Sequence, residues 1–319
     1  MRIVFCGTPE FAVPSLRRLL ADPSFAVEAV VTQPDRPRGR GQALAAPAVK
    51  EAAIEAGLHV YQPETVRADS ACDFFLRMKP DAVVIIAYGQ IVPKRLIDIP
   101  RLGWINLHAS LLPKYRGAAP IAWAIVNGEI KTGLTTMQID AGMDTGPLLL
   151  QQEMEIGANE TAPELSQRLA EVGGPLIVES LLKLDRGEIR PQPQDASRAT
   201  YASMIKKEHG RVEWSRTAQE IYNRIRGLAP WPGAYSSFRG RLCHVWGRPT
   251  AAMLSLPVAG APANLLPGAL AVDGGTLLVA CGHGTTLTVE SVQIEGRKRV
   301  TATEFLNGAR LAPGDRFGE

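Results

Sequence analysis

Two apolar rhythms alternate along the first part of this chain. Short strand-like runs at 3–7, 27–32, 59–62, 82–87, 104–109, 134–140 and 148–155 are separated by stretches with helical spacing. The first of these carries Phe11, Val13, Leu16, Leu19 and Leu20; the others span 47–57, 69–78, 118–126 and 162–184. Strand and helix taking turns in this way predict a mostly parallel, Rossmann-like α/β sheet. The run 82–87 is apolar throughout, as suits a strand covered on both faces. Gly7 has no glycine two and five positions later, so the fingerprint of a dinucleotide site is missing and a nicotinamide cofactor is not expected.

The rhythm changes after residue 189. Arg190-Pro-Gln-Pro-Gln-Asp-Ala-Ser-Arg198 reads as a linker, which divides the chain into a first domain at 1–189, a linker at 190–205 and a second domain at 206–319. In the second part a helix is expected at 218–226. Short strands punctuated by Gly and Pro follow at 234–238, 242–246, 269–272, 277–280 and 287–293, the pattern of a small antiparallel barrel.

One strand is not explained by packing. If 104–109 is extended, its two-residue period sends Trp104, Asn106 and His108 to one face and Ile105, Leu107 and Ala109 to the other. An amide and an imidazole side by side must find hydrogen-bond partners if they are buried. Turn chemistry follows at 110–117, with Lys114 and Arg116 as a basic pair. The next strand runs into Asp140-Ala-Gly-Met-Asp144-Thr-Gly146, a glycine loop with two carboxylates. Consecutive strands are often neighbours, which would bring this loop near Asn106 and His108. In parallel sheets ligands sit at the carboxyl ends of strands, so Tyr88-Gly89-Gln90-Ile91-Val92-Pro93 is a candidate pocket wall or a plain strand-to-helix turn. The segment 33–42, with Arg36, Arg38 and Arg40 among prolines and glycines, is expected to lack regular structure. It reads either as a solvated surface loop or as one that orders over a phosphate backbone.

Composition adds little to that picture. A length of 319 residues suffices for two domains, and no apolar run reaches the roughly 18 residues of a spanning helix. The chain opens on a strand-like segment without a signal-peptide pattern, so a cytoplasmic protein without a membrane partner is expected. Cys6, Cys72, Cys243 and Cys281 have no paired spacing and read as free buried thiols. The net charge of +3 is uneven: residues 1–205 hold 21 Lys and Arg against 23 Asp and Glu, and residues 206–319 hold 14 against 9. That excess is compatible with a nucleic-acid partner and equally with an ordinary basic surface.

Together, Asn, His and Asp at the end of a sheet suit acyl transfer. Asn donates to a developing oxyanion, His exchanges a proton near neutrality, and Asp orients the imidazole. Apart from Ser110 there is no obvious nucleophile, which favours direct transfer between two bound substrates. Taken singly, His108 could be a satisfied structural group, Asp144 a turn cap and Asn106 a strand-end tie. His59, His209, His244 and His283 lack such company and read as structural or surface groups.

Asn106-Leu-His108-Ala-Ser-Leu-Leu-Pro-Lys-Tyr-Arg-Gly117, followed by Gln138-Ile-Asp-Ala-Gly-Met-Asp-Thr-Gly146, closely resembles the signature of the folate-dependent formyltransferases. Phe5-Cys-Gly-Thr-Pro-Glu-Phe-Ala12, Thr32-Gln-Pro-Asp-Arg-Pro-Arg-Gly-Arg-Gly41 and Ala229-Pro-Trp-Pro232 are similar to those members that formylate methionine on initiator tRNA. The resemblance implies a formyltransferase-fold domain followed by a smaller antiparallel barrel like the oligonucleotide-binding fold. It implies 10-formyltetrahydrofolate as co-substrate, initiator methionyl-tRNA as acceptor, no metal, and a monomer. Asn106, His108 and Asp144 match the catalytic trio. Ser110, Leu111, Leu112 and Pro113 match the folate-contact motif, with Ile86, Tyr88, Gly89, Gln90, Ile91 and Asp140 expected to complete the folate pocket. Arg36, Arg38 and Arg40 fall in an arginine-bearing loop expected to hold the acceptor end of the tRNA, with Lys206 and Lys207 as further phosphate contacts. Two alternatives stay open: formyl transfer to a small amine such as glycinamide ribonucleotide, and a nucleic-acid-binding module without activity.

Overall fold

The computed structural model describes residues 1–38, 43–250 and 266–318. They fall into two compact units: Met1–Pro120 with Lys131–Glu155 and Glu164–Ser203, and Ile121–Ile130 with Ile156–Pro163 and Met204–Glu319.

In the first unit the strands are β1 (Arg2–Gly7), β2 (Ala26–Val31), β3 (Arg36–Arg38), β4 (Ala43–Ala45), β5 (Val60–Tyr61), β6 (Ala82–Ile86), β7 (Trp104–His108), β8 (Lys131–Gln138) and β9 (Leu148–Glu155). The helices are α1 (Val13–Leu20), α2 (Ala48–Glu55), α3 (Asp69–Met78), α4 (Lys94–Ile97), α5 (Pro120–Val126, shared with the second unit) and α6 (Ala162–Asp185). Among the described residues one sheet has the order β5-β2-β1-β6-β7-β8-β9. Strands β5 through β7 in that order are parallel, whereas β8 is antiparallel to β7 and β9 to β8. The central strands are apolar because both faces are covered, and every residue of β6 is buried. One face packs Val4, Cys6, Val83, Ile85 and Trp104 against Phe74 and Phe75 of α3. Strand order reverses between β1 and β6, which opens a crevice at their carboxyl ends. There the Thr8 hydroxyl donates to the Tyr88 carbonyl at 2.9 Å.

Against expectation, the arginine-rich segment contains regular structure. Arg36, Pro37 and Arg38 pair antiparallel with Ala45, Leu44 and Ala43. An isolated two-stranded ladder leaves alternate N–H groups facing outward, so Pro37, which has none, is accommodated. Residues 190–205, expected as a linker, run partly along the first unit: Leu148 and Gln192 exchange backbone hydrogen bonds at 2.7 and 2.8 Å.

The second unit contains α7 (Ala218–Gly227), β10 (Tyr235–Phe238), β11 (Arg241–Pro249), β12 (Leu270–Asp273), β13 (Thr276–Ala280), β14 (Thr286–Ile294), β15 (Val300–Thr301) and α8 (Ala302–Ala309). Its sheet is antiparallel, in the order β10-β11-β14-β13-β12, with β15 on β14. The two edges meet through the chain's end: Phe317 bridges to Phe238 and Arg316 to Ala269, giving a barrel-like closure. Trp214, Phe238, Val245, Leu287, Phe305 and Phe317 fill its core. Helix α8 is an element that periodicity did not predict, although Thr301 and Glu304 form a capping box at its start. Cys6, Cys243 and Cys281 are buried and free, and burial pushes the Cys243 and Cys281 thiols up to about 12. Cys72 is only half-buried. No helix among the described residues is long and apolar enough to cross a membrane.

His244, on β11, is held below its ordinary pKa first by burial and then by the nearby Lys207 charge. The unfolded ring takes up its proton near pH 6.5, whereas the folded ring resists it until the pH is lower. Stability of the second unit should therefore fall on acidification below about pH 6.5, and His244→Gln should flatten that fall. Unfolding midpoints measured from pH 7 to 5 test this; equal slopes in both proteins would exclude His244 as the source.

Candidate active site

Strand β7 delivers two polar side chains to the end of the sheet. Trp104 starts the strand in the core, with its indole N–H donating to Leu96 O at 2.7 Å. Two and four residues on, the same face carries Asn106, half-buried, and His108, buried. Among the described residues the Asn106 amide has no side-chain hydrogen-bond partner. His108 is tied on one side: its Nε2 lies 2.8 Å from Tyr115 O. A carbonyl only accepts, so Nε2 carries the hydrogen. Nδ1 lies 3.7 Å from Oδ2 of Asp144, beyond hydrogen-bond length but within ion-pair reach. Protonated on both nitrogens, the ring faces an acceptor on each side.

Asp144 reaches this position by a detour. Because β8 is antiparallel, Thr135 lies opposite His108 while Gln138, the end of β8, lies opposite Ile105. The following loop therefore starts about 10 Å short of His108, at about 3.3 Å per strand residue, and must fold back. Its base is closed by Gln138 N–H donating to Pro147 O at 3.0 Å. At this pinch an added Cβ on Gly146 would stand 1.8 Å from Gln138 O, so only glycine fits. Inside the loop, the Asp140 carboxylate accepts from Gly142 N–H at 2.9 Å and from the Thr145 hydroxyl at 2.7 Å. Asp144 itself is left-handed, with φ of 51°. Its Oδ2 accepts from Gly117 N–H at 2.7 Å. Gly117 has φ of 116°, and a Cβ there would meet Ala202 O at 2.6 Å.

The loop between His108 and Gly117 is fastened by side chains from β8, β9 and the 190–205 stretch. The Ser110 hydroxyl donates to Lys114 O at 2.6 Å, and Thr135 Oγ1 donates to Ser110 O at 2.6 Å while accepting from Leu112 N–H at 3.1 Å. Gln151 donates to Leu112 O at 2.9 Å, and Tyr115 N–H donates to the Thr200 hydroxyl at 2.8 Å. Arg116 is buried and donates through Nε and Nη2 to Gln194 Oε1. Sequence reasoning missed Thr135, Gln151, Gln194 and Thr200. The available signal was a run of polar residues inside an otherwise apolar strand for Thr135; for Gln194 and Thr200 the sequence offered none.

Placement of the remaining candidates is mixed. Ile86 is fully buried. The Tyr88 ring is buried in the core, where desolvation raises its phenol pKa well above the usual range. Its carbonyl accepts from Thr8 and from Gln33. Around the crevice these two residues can therefore present backbone rather than side chains. Gly89 has φ of 90°, and Gln90 turns away to accept from Val66 N–H at 2.7 Å. Ile91 is 72% exposed, an apolar side chain open to a ligand. Leu112 is buried, whereas Leu111 and Pro113 are half-buried. Asn106, His108, Ser110 to Pro113, Asp140 and Asp144 are thus assembled on β7 and the two loops beside it. Arg36 is exposed, 3.8 Å from Glu64, and Lys206 and Lys207 are exposed in the second unit. The Arg38 side chain and Arg40 lie outside the described residues.

Residues 1–181 match the family described as formyl transferase, and residues 204–310 match the formyl transferase C-terminal domain. A methionyl-tRNA formyltransferase of Solibacter usitatus is 52% identical over 319 residues, covering 100% of this chain and 99% of the relative. The methionyl-tRNA formyltransferase of Acidobacterium capsulatum is 49% identical over 321 residues, covering 100% of both. Among solved structures, a sugar 3N-formyl transferase in the presence of dTDP and 5-N-formyl-THF is similar with a TM-score of 0.65 and 17% identity, over 93% of this chain and 99% of that one. HypX from Aquifex aeolicus in complex with tetrahydrofolic acid gives a TM-score of 0.59 and 16% identity, over 96% of this chain and 47% of that one. At such identities the structural likeness speaks for the fold.

The pinch at Gly146 yields a test independent of any activity. Gly146→Ala should cost about 1–3 kcal/mol, the range for forcing extra volume into a packed site. Chemical denaturation measures it, and an unchanged midpoint would mean that the loop base has slack.

Proposed function

The chain belongs to the formyl transferase family, and from that premise we propose that it moves the formyl group of 10-formyltetrahydrofolate to the α-amino group of methionine on initiator methionyl-tRNA. The product, N-formylmethionyl-tRNA, serves translation initiation. The observation that carries the chemistry is the convergence of His108 and Asp144 beside an uncommitted Asn106 amide. Residues 1–189 are the catalytic domain in this reading, 190–205 the linker and 206–319 a tRNA-binding barrel. The protein acts as a monomer in the cytoplasm.

The residues present suit a folate. The open amide of Asn106, the exposed apolar side chain of Ile91, the Ser110 to Pro113 turn and the exposed Asp140 carboxylate together offer polar edges beside an apolar surface, as a flat heterocycle needs. Backbone groups of 86–90 supply further hydrogen bonds. The unprotonated amine of methionine attacks the formyl carbon, and the carbonyl electron pair moves onto oxygen to give a tetrahedral intermediate. The Asn106 amide donates to that oxygen, and so does His108 through Nδ1–H, since its Nε2–H is held by Tyr115 O. Asp144 balances the imidazolium charge or orients a water that takes the amine proton. Collapse returns the electron pair, breaks the bond from carbon to the folate nitrogen, and delivers the proton to that nitrogen. Arg36, Arg38 and Arg40 of the arginine-bearing segment, with Lys206 and Lys207, hold phosphates of the tRNA, so affinity falls with salt.

The assay offers labelled formyl folate with charged initiator tRNA, with glycinamide ribonucleotide, or with uncharged tRNA. Label on methionyl-tRNA alone is expected; label on glycinamide ribonucleotide would move the protein to the small-amine branch of the family. His108→Ala and Asp144→Ala should each lower kcat by roughly 10² or more with the fold intact, and near-normal turnover would remove that residue from the mechanism. Arg40→Leu should chiefly raise KM for tRNA, and an unchanged KM would return the segment to a plain surface role.

A further inference from the structure

Gln194 belongs to the stretch whose composition marks it as linker, yet its side chain is fully engaged at the site. Its Oε1 accepts from Arg116 Nε at 3.1 Å and Nη2 at 2.6 Å. Its Nε2 donates to Asp144 O at 2.9 Å and Gly146 O at 2.7 Å. The amide cannot be turned round, because that would set an NH₂ group against a guanidinium and an oxygen against two carbonyls. Nor would a carboxylate serve, since it has no hydrogen for either carbonyl. Glutamine offers an acceptor to a cation and donors to two carbonyls on one side chain of this length.

What it grips is the part of the loop that matters for the reaction. Gly146 is the pinch at the loop base, and Asp144 holds a left-handed conformation that surrounding bonds must maintain in a non-glycine residue. The Asp144 backbone is held by Gln194 while its carboxylate is held by Gly117 N–H, one residue along from Arg116. Arg116 is itself anchored, its N–H donating to Thr200 O at 2.8 Å and its O accepting from Ala202 N–H at 2.7 Å. Two independent anchors therefore bracket the carboxylate that faces His108.

We infer that Gln194 is a positioning residue for formyl transfer: it clamps the 140–146 loop to Arg116 and so sets the Asp144 carboxylate against His108. This rests on the proposed formyl transfer, and it adds the device that keeps the carboxylate in place through the reaction. Small displacements of a catalytic group cost rate more than affinity.

Kinetics and amide hydrogen exchange on Gln194→Ala and Gln194→Glu test it. Both substitutions should lower kcat for initiator methionyl-tRNA by about 10- to 100-fold, with KM for folate and tRNA within about threefold of wild type. Exchange at 140–146 should quicken in both while the remainder of the chain is unchanged. Gln194→Glu keeps a partner for the buried guanidinium, so it tests the clamp even where Gln194→Ala does not fold. Wild-type kcat in Gln194→Glu, or unchanged exchange at 140–146 in either variant, would overturn the inference. A folded wild type that transfers no formyl group defeats the reading beneath it; that failure is distinguishable, because the exchange measurement needs no turnover.

Discussion

A carboxylate has to be delivered to the end of β7 by a neighbour that runs the other way. With β8 antiparallel, the loop bearing Asp144 leaves the sheet opposite Ile105 and has to return along the face to reach His108. Ordering each residue of such a return costs about 1–2 kcal/mol, while one hydrogen bond contributes about 0.5–1.5 kcal/mol net. No single contact can hold the loop, and it is fastened at every stage: the pinch at Gly146, the Asp140 turn, the Gly117 N–H and the Gln194 amide. The glycines are placed where the chain passes too close to itself for a side chain.

The parts of the site that sequence made legible are those fixed by local geometry. A two-residue period puts Asn106 and His108 on one face of a strand wherever that strand lies, and Trp104 on the same face explains why the strand begins in the core. Asp144 needed one further step, the rule that consecutive strands tend to pair, and that step sufficed without revealing the reversal of direction. Gln194 and Thr200 were out of reach. Prolines and polar residues at 190–198 have the composition of solvated chain, and the groups they bind lie between 48 and 85 residues away. Nothing local distinguishes a polar side chain that meets water from one that meets a distant carbonyl.

The arginine-bearing segment errs in the other direction. Proline and glycine argued against regular structure at 33–42, but a two-stranded ladder asks little of a chain, and Pro37 sits where no N–H is needed. In the second unit, the short strands were legible from their punctuation, whereas closure was not. Residues 316 and 317 join the two open edges of the sheet, and no strand-length apolar run announces so brief a pairing.

Among the described residues, none takes up the Asn106 amide. Asn106 is half-buried, and in the proposed transfer the formyl oxygen takes the place of water as acceptor for its N–H groups. Water and a neutral carbonyl oxygen are acceptors of similar strength, so this exchange adds little to ground-state affinity. An oxygen acquiring negative charge is a far better acceptor than either. In the proposed reaction the side chain thus discriminates between two states of the same atom rather than between two ligands, and its contribution belongs to turnover rather than to occupancy.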